Sequence, residues 1–297
     1  MSSRLVLGCM RIESLDDEAV RSLVGAALDA GITVFDHADI YGSARHACEQ
    51  RFGDAVRFTP AKREQVVVQS KVGIREGYYD FSREHVERTV DESLAALRVD
   101  HLDVLLLHRP DALADPDDTA ATLERLVAAG KVREVGVSNH TAGQMDLLQR
   151  SLPRRIFVNQ LQCGLGHAAL IASGLAANIV GLEQSADRDG GVLDACRRDG
   201  VVVQAWSPFG DASGRVVLGD RENHPVLNDA LDEVAAAHGV STAAVAVSWL
   251  TTHPAGMQVV VGSTRPERIA EAAPGAELRL SRPEWYRLFT AAGHTLP

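Results

Sequence analysis

The sequence predicts an α/β fold, specifically a (β/α)8 TIM barrel of eight parallel strands that end at one C-terminal mouth. Short apolar segments alternate with amphipathic segments of helical spacing along the whole chain. The apolar segments are continuous runs, which is the pattern of strands buried on both faces of a parallel sheet. Eight such strands with helices between them favour a closed barrel over an open sheet.

The predicted strands begin close to the N-terminus and recur through the chain. They are Leu5–Gly8, Thr33–Asp36, Val66–Lys71, Val104–His108, Val132–Val137, Ile156–Gln160, Val201–Trp206 and Gln258–Gly262. An open, doubly wound sheet usually has a Gly-x-Gly-x-x-Gly turn after its first strand, and the segment Gly8–Arg11 contains no such turn. The first connection therefore also favours the barrel.

The segments between the strands carry apolar residues at helical spacing. Examples are Asp17–Ala30, Ser82–Leu97, Ala120–Ala129, Gln144–Arg150, Gly191–Arg198 and Asn228–His238. Asp111–Asp118 is instead an acidic loop that contains a proline, and Gly164–Gly191 is a long stretch whose local structure the sequence leaves open. Loops of this length near a barrel mouth are often functional lids.

The bulk composition is that of a globular protein, and we expect one domain over residues 1–297. Barrels of roughly 250 residues commonly form a single domain. The formal net charge of −10 argues against nucleic acid or an anionic membrane as a partner. We find no signal-peptide pattern and no apolar run near the length of about 18 residues that spans a membrane. We therefore expect a soluble, cytoplasmic protein.

The cysteines show no spacing typical of a metal site. They are Cys9, Cys48, Cys163 and Cys196. We expect reduced, buried thiols and no metal ion.

Four polar residues follow the ends of three predicted strands. Asp36, Lys71 and His108 each close an apolar run, and Tyr41 lies shortly after Asp36. Because neighbouring parallel strands end at the same mouth, these side chains should surround one site. A carboxylate, a phenol, an ammonium and an imidazole together predict proton transfer.

Lys71 stands out against the composition of the chain. Of the 30 basic residues, only Lys62, Lys71 and Lys131 are lysine. A compact ammonium beside a phenol lowers the phenol pKa from its ordinary value of about 10. The alternative is that Lys71 merely ends a strand and reaches solvent.

Seven segments of the chain resemble the aldo-keto reductases in order and spacing. They are Phe35–Gly42, Ser70–Lys71, Asp100–Pro110, Gly130–Asn139, Asn159–Gln160, Ala205–Pro208 and Gly262–Ile269. The resemblance covers nearly the full length and is closest to bacterial members of poorly defined substrate. It implies a (β/α)8 barrel and NADPH-dependent reduction of an aldehyde or ketone, in which hydride transfer leaves a carbonyl oxygen that needs a proton.

Each of these four polar side chains would have a separate role in the reaction. Tyr41 would be the general acid, Lys71 would lower its pKa, and Asp36 would hold Lys71. His108 would hydrogen-bond to the carbonyl oxygen and orient it. The alternative for Tyr41 is an aromatic residue that packs on the barrel rim, and His37 is interpreted as structural because it should point to the opposite side of the strand from Asp36.

The nicotinamide should lie against other strand ends. Ser138, Asn139 and Gln160 have the hydroxyl and amide groups that a carboxamide can bind. Trp206 would stack on the nicotinamide ring, where the family often has tyrosine. The alternatives are that Ser138 and Asn139 cap a helix and that Trp206 is a core residue.

The cofactor phosphates should lie near the loops after the last two strands. The first loop contributes Ser207, Pro208, Phe209 and Gly210, and the second contributes Gly262, Ser263, Thr264 and Arg265. By resemblance, Arg268 would bind the 2′-phosphate that distinguishes NADPH from NADH. Gly262 replaces a basic residue and Ala272 an asparagine of many family members, and Arg265 can compensate. The alternative is a solvated surface around Arg265 and Arg268.

Two other classes of function compete with a reductase. A cofactor-binding regulatory or redox-sensing subunit would keep the nucleotide site and catalyse only slowly. An isomerase or aldolase would use Lys71 as a Schiff base, which requires a free amine. The substrate is not readable from the sequence, because loops decide specificity in this fold and a single sequence does not show how they close. A monomer is the expectation from the family.

Overall fold

The computed structural model describes residues 3–297 and contains a closed barrel of eight parallel strands. The strands are β1 (Leu5–Gly8), β2 (Val34–Asp36), β3 (Val67–Val72), β4 (Leu102–Leu107), β5 (Val132–Ser138), β6 (Val158–Gln162), β7 (Val202–Trp206) and β8 (Gln258–Val261). Each pairs with its neighbours in sequence, and β1 closes the barrel against β8. The predicted (β/α)8 fold is confirmed, and every predicted strand is present with ends shifted by at most two residues.

Helices connect the strands around the outside of the barrel. They are α1 (Asp17–Asp29), α2 (Ala47–Ala55), α3 (Pro60–Arg63), α4 (Arg83–Leu97), α5 (Pro116–Ala128), α6 (Ala142–Ser151), α7 (Ala169–Leu175), α8 (Val192–Asp199), α9 (Pro225–His238), α10 (Thr242–Thr252), α11 (Pro266–Ala272) and α12 (Arg282–Ala291). Side-chain oxygens at several N-caps explain where they begin, for example Asp16 for α1, Ser82 for α4 and Asp115 for α5.

Some elements were not evident from the sequence. Helix α10 is buried on nearly every side, so it lacks the amphipathic pattern that marks a surface helix. The 164–191 stretch contains α7 and a short 3-10 turn at Glu183–Ser185. A small antiparallel hairpin, Ile74–Arg75 with Tyr78–Tyr79, follows Lys71 at the barrel mouth.

Alternation along each strand separates the interior of the barrel from the main core. Outward residues such as Leu7, Phe35 and Leu105 belong to the large apolar core between strands and helices. Inward residues form small separate clusters, one around Val34 and another around Val158. This alternation decides which side chains reach the mouth.

Within residues 3–297, no single helix is long and apolar enough to cross a membrane, and the pair α9 and α10 meets that requirement only jointly, with a 90° bend between them. In the same part of the chain, no group of three or more potential ligands is arranged to hold a metal ion. The four cysteines are free and buried.

Candidate active site

The four residues predicted to transfer protons lie together at the C-terminal mouth of the barrel. Lys71 Nζ lies 2.7 Å from each carboxylate oxygen of Asp36 and 3.0 Å from the Tyr41 hydroxyl. The His108 and Tyr41 rings meet edge to face, with 6.0 Å between their centroids. Alternation explains the meeting, because Asp36 and Lys71 occupy inward positions of β2 and β3, and His108 follows β4 in the same phase.

Lys71 is a buried ammonium that donates to acceptors on two sides. Besides Asp36 and Tyr41, it donates to the backbone carbonyl of His37 at 2.8 Å. Burial opposes the charged form, but Asp36 and Tyr41 outweigh it and raise the pKa of Lys71 above its ordinary value. With only 1% of its surface exposed, Lys71 does not reach solvent, which rules out the simple strand-end interpretation. A protonated lysine also disfavours Schiff-base chemistry.

The Tyr41 phenol differs from the sequence-based expectation in the net direction of its pKa. Burial raises the pKa of Tyr41, the Lys71 ammonium lowers it, and the Asp36 carboxylate raises it. Burial dominates, so the pKa lies above its ordinary value even though Lys71 acts in the expected direction. Tyr41 is therefore a protonated phenol at neutral pH, poised to donate.

His108 is a neutral imidazole at the edge of the site. Burial, the Lys71 ammonium and the Arg109 guanidinium together lower the pKa of His108 to about 2. Its buried Nδ1 has no hydrogen-bond partner among residues 3–297. A neutral imidazole has one donor and one acceptor nitrogen, so it suits the recognition of an uncharged carbonyl oxygen.

The loop that carries Tyr41 is tied to its surroundings by backbone hydrogen bonds. Asp39 N donates to the Lys71 carbonyl at 3.3 Å, and Cys48 N donates to the Tyr41 carbonyl at 3.1 Å. Arg45 forms an ion pair with the buried Asp39 at 3.0 Å. Burial raises the pKa of Asp39 to about 6, although Arg45 opposes this. The general-acid candidate is thus held in place without a ligand.

A buried carboxylate behind Lys71 was not identified from the sequence. Glu49 on α2 accepts hydrogen bonds from Ser70 Oγ at 2.5 Å and Ser93 Oγ at 3.0 Å, and it pairs with His46 Nδ1 at 2.5 Å. Burial raises its pKa, but the hydrogen bonds from His46 and Ser70 outweigh this and lower it overall. Ser70 points outward to Glu49 while its neighbour Lys71 points inward, so Glu49 fixes the strand from behind.

His37 also points outward, as the strand phase predicts. It is fully buried, and its ring meets the Phe52 ring edge to face at 4.6 Å between centroids. Burial lowers the pKa of His37 to about 4. Both of its ring nitrogens lack hydrogen-bond partners among residues 3–297. The side chain of His37 therefore has a packing role, while its carbonyl holds Lys71.

The residues expected to face the nicotinamide lie together on the other side of the mouth. Asn139 Nδ2 donates to Ser138 Oγ at 2.8 Å and to the His108 carbonyl at 3.3 Å, and Asn139 Oδ1 accepts from Trp206 Nε1 at 3.0 Å. Ser138 Oγ donates to the Gln160 carbonyl at 2.8 Å. Asn139 thus connects the backbone of His108 to the half-buried indole of Trp206.

This group is not a helix cap. Thr141 caps α6 in a reciprocal arrangement with Gln144, so the capping alternative for Ser138 and Asn139 is wrong. Asn139 instead adopts a left-handed backbone with φ of 59°, and Ser207, next to Trp206, has φ of 48°. Non-glycine residues rarely adopt this conformation, and such strain is concentrated at functional sites.

The predicted phosphate loops follow β7 and β8, and the second of them has open space at Gly262. A Cβ added at Gly262 would meet no atom within 4 Å, and one at Gly210 would lie 3.5 Å from the nearest atom, the Ser207 carbonyl oxygen. Ser263 Oγ accepts from Arg265 N at 3.1 Å and fixes the turn into α11. Arg11, on the loop after β1, donates to the Gly262 carbonyl at 3.3 Å.

Arg265 and Arg268 are exposed at the start of α11. Neither forms an ion pair with a carboxylate of the described residues, 3–297. Half-buried Thr264 and Ser263 lie in the same turn. Two uncommitted guanidinium groups beside hydroxyl donors form a surface that suits an anionic group.

Comparison with known proteins gives this constellation a family. The model of the aldo/keto reductase family matches residues 4–290. An uncharacterized oxidoreductase of Bacillus subtilis, YcsN, is 34% identical over 99% of this chain and 96% of its own length. The 6-dehydroglucose reductase of Novosphingobium aromaticivorans is 38% identical over 93% of this chain and 86% of its own.

A solved structure agrees with these relatives. An aldo-keto reductase from Klebsiella pneumoniae in complex with NADPH covers 100% of this chain and 93% of its own, with a TM-score of 0.78 and 25% identity. The chain belongs to the aldo/keto reductase family. It is accordingly an oxidoreductase of a family that uses nicotinamide cofactors and acts on small carbonyl compounds.

Proposed function

We propose that this protein reduces an aldehyde or ketone to an alcohol with NADPH, with Tyr41 as the general acid. The observation that carries the proposal is the position of the Lys71 ammonium, which lies within hydrogen-bond distance of both the Asp36 carboxylate and the Tyr41 hydroxyl. A phenol beside a buried ammonium can release its proton to a developing alkoxide, because the ammonium stabilises the phenolate that remains.

His108 and Tyr41 would bind the substrate oxygen from two sides. The imidazole is neutral and donates one hydrogen bond, which orients the carbonyl and polarises it. The phenol proton then moves to the oxygen, and Lys71 and Asp36 stay charged throughout. Because the pKa of Tyr41 is raised, the phenol is present over the whole neutral range, which favours reduction over alcohol oxidation.

The nicotinamide cofactor would supply the hydride when bound, and this chain has groups that fit it. Ser138 Oγ, Asn139 Oδ1 and Gln160 Oε1 each retain acceptor capacity toward the amino group of a carboxamide. Both hydrogens of the Asn139 amide and of the Gln160 amide are already used. These residues would therefore hold the amino end of the carboxamide, and Trp206 would stack on the ring.

Preference for NADPH over NADH would come from α11. Arg268 and Arg265 present guanidinium groups that can bind a phosphate through two hydrogen bonds each, with Ser263 and Thr264 beside them. The open space at Gly262 and the Ser207–Gly210 loop would receive the remaining phosphates. Arg11 places a further guanidinium next to Gly262, a position that has no side chain of its own.

The proposal also includes one domain and a monomeric state. A single domain is supported by the pairing of β1 with β8, which joins the first and last strands in one barrel. A small substrate that binds one protein copy at a time requires no second subunit, so a monomer suffices. The alternative, a regulatory subunit with slow catalysis, would keep the cofactor groups and act through a partner.

The test is to follow NADPH absorbance with purified protein and an activated aldehyde such as 4-nitrobenzaldehyde, alongside Tyr41→Phe. A dehydrogenated sugar belongs in the same panel, because a relative is a 6-dehydroglucose reductase. Oxidation of NADPH by the wild type that is lost in Tyr41→Phe supports the reductase. Tight NADPH binding without turnover of any carbonyl supports the regulatory alternative, and absence of binding contradicts both.

A further inference from the structure

A layer of amide side chains lies inside the barrel directly beneath the proton-transfer residues. Gln69, Gln160 and Gln204 occupy inward positions of β3, β6 and β7, and none is more than 2% exposed. Strand register places Gln69 beside Asp36, and Gln204 beside both Gln160 and Gln258. The interior around them is lined by valine and leucine, so polar groups here are costly unless they are hydrogen-bonded.

Each amino group in this layer uses both of its hydrogens. Gln69 Nε2 donates to Asp36 Oδ1 at 2.5 Å and to Gln204 Oε1 at 2.9 Å. Gln160 Nε2 donates to the same two oxygens at 3.0 Å and 3.1 Å. Gln204 Nε2 donates to Gln69 Oε1 at 3.2 Å and to Gln258 Oε1 at 2.9 Å. The layer is fully connected from Asp36 to β8.

The carboxylate sets the direction of the whole chain of amides. An ionised carboxylate only accepts hydrogen bonds, so Gln69 and Gln160 must turn their amino groups toward Asp36. Gln204 must then present its oxygen to both of them and its own amino group to Gln69 and Gln258. Asp36 Oδ1 consequently accepts from Lys71, Gln69 and Gln160 together.

We propose that Gln69 and Gln204 are positioning residues for proton transfer. They hold Asp36 with both oxygens toward Lys71, and the hydrogen bonds to Asp36 reduce the effect of its negative charge on Tyr41. The inference rests on the proposed reduction in which Tyr41 is the acid. Gln69 acts through Asp36 directly. Gln204 acts one step further away, because it orients the amino groups of Gln69 and Gln160.

Tyr41 is surrounded by few groups whose charge can compete with this effect. Lys71 on β3 favours the phenolate, and Asp36 on β2 opposes it. The Cys9 thiol, after β1, is neutral because burial raises its pKa well above the ordinary value. His108 is also neutral. Loss of an amide donor to Asp36 should therefore raise the pKa of Tyr41 further, because more of the carboxylate charge then acts on the phenol.

The main variant is Gln69→Leu, which keeps the size of the side chain and removes the donor. Tyr41 ionisation is measured by ultraviolet absorbance near its pKa, as the difference between each protein and the same protein with Tyr41→Phe. We expect the pKa of Tyr41 to rise by roughly one unit. We also expect kcat for reduction to fall about tenfold, with the KM for NADPH within about twofold of wild type.

Two further variants keep the test decisive if Gln69→Leu does not fold. Gln204→Leu should shift the Tyr41 titration in the same direction and by less. Gln69→Glu places a second acceptor against Asp36 and should give the larger shift. Gln149→Leu is the matched control, because Gln149 donates to the backbone carbonyls of Leu152 and Arg154 outside the barrel. It should lower thermal stability and leave the titration and kcat unchanged.

The outcomes separate this inference from the proposed function. An unchanged Tyr41 titration in folded Gln69→Leu and Gln204→Leu, with or without a loss of thermal stability, overturns the positioning role. An upward shift supports it even if no carbonyl tested is reduced, because the titration needs no turnover. Failure of the wild type to reduce any carbonyl bears on the proposed function alone.

Discussion

The two halves of the barrel mouth differ in how much of their bonding capacity is already used. On the side of β2, β3 and β4, Lys71 is 1% exposed and donates to Asp36, Tyr41 and a backbone carbonyl. On the side of β8, Arg265 and Arg268 are exposed and form no ion pair within residues 3–297. One half is complete before any ligand arrives, and the other retains cations that a ligand can bind.

This difference indicates what each half contributes. Preorganised groups stabilise charge in a transition state without the cost of reorganisation, so the β2–β4 half suits chemistry. Uncommitted charges lose little by binding an anion, so the β8 half suits affinity. Substitutions in the first half should therefore change kcat and folding stability, and those in the second should change the binding of NADPH.

The largest effect should follow Tyr41→Phe. Removal of the only proton proposed to reach the substrate oxygen should lower kcat by about 10³-fold, the middle of the range for general acid catalysis. The binding of NADPH, measured by fluorescence titration, should stay within about twofold of wild type. Tyr286→Phe on α12 is the matched control, and its kcat should be unchanged. A Tyr41→Phe protein that keeps a tenth or so of the activity would show that the proton comes from elsewhere.

Lys71→Met should have the next largest effect, and on two quantities. We expect kcat to fall about 100-fold, because no ammonium remains to stabilise the phenolate. We also expect a loss of roughly 3 kcal/mol in the free energy of unfolding, because Asp36 is left as a buried charge without its partner. Denaturant unfolding and steady-state kinetics measure the two. Lys62→Met, on α3, should change neither, and equal stability of both variants would argue against the buried pair.

The fold was readable from the sequence because parallel strands buried on both faces leave continuous apolar runs. That signal located all eight strands to within two residues. Helix α10 left no comparable signal, because burial on nearly all sides removes the polar stripe. The hairpin after Lys71 has strands of only two residues, too short for any period to be recognised.

The candidate site was readable where a polar residue ends an apolar strand, as at Asp36, Lys71 and His108. Gln69 and Gln204 gave a similar signal, because each directly follows three valines, but their role depends on strand register and so on three-dimensional contacts. The net direction of the Tyr41 pKa also required the structure, because burial outweighs the neighbouring ammonium. Residue types indicate which charges are present, and only geometry decides which effect dominates.

Lowering the pH should reduce the free energy of unfolding, because His37 is protonated more readily in the unfolded chain than in the folded protein. The unfolded chain protonates His37 near its ordinary pKa of 6.5, whereas in the folded state burial lowers its pKa to about 4. The stability that His37 contributes is thus complete above about pH 6.5 and is lost as the pH falls toward the folded pKa. By linkage, the loss between about pH 7.5 and about pH 5 is about 2 kcal/mol.

His37→Phe isolates this effect from other groups. Asp39, whose pKa burial raises to about 6, titrates in the opposite sense over the same range. The informative quantity is therefore the difference between wild type and His37→Phe in the free energy of unfolding at each pH. It should change by about 2 kcal/mol across the range. A difference that does not vary with pH would mean that His37 is protonated, or exposed, in the folded protein.

The smallest effect should come from the exposed half. Arg268→Gln removes one of several cations at the proposed 2′-phosphate site, so the Kd for NADPH should rise about tenfold, while kcat at saturation stays within about twofold of wild type. The Kd for NADH should not change, because NADH has no 2′-phosphate. Arg282→Gln, another exposed arginine, is the matched control and should leave both dissociation constants unaltered.

The changes in the Kd for NADPH and the Kd for NADH together show which group of the cofactor Arg268 binds. Equal weakening of NADPH and NADH would place Arg268 at phosphates that both cofactors share. A lower kcat without a change in Kd would contradict the division of the mouth into a chemical half and a binding half. The exposed guanidinium of Arg268 would then act on the reaction itself. Weaker binding of NADPH alone would show that the exposed guanidinium of Arg268 on α11 discriminates between the two cofactors. The buried residues of the β2–β4 half would then act in the same way with either cofactor.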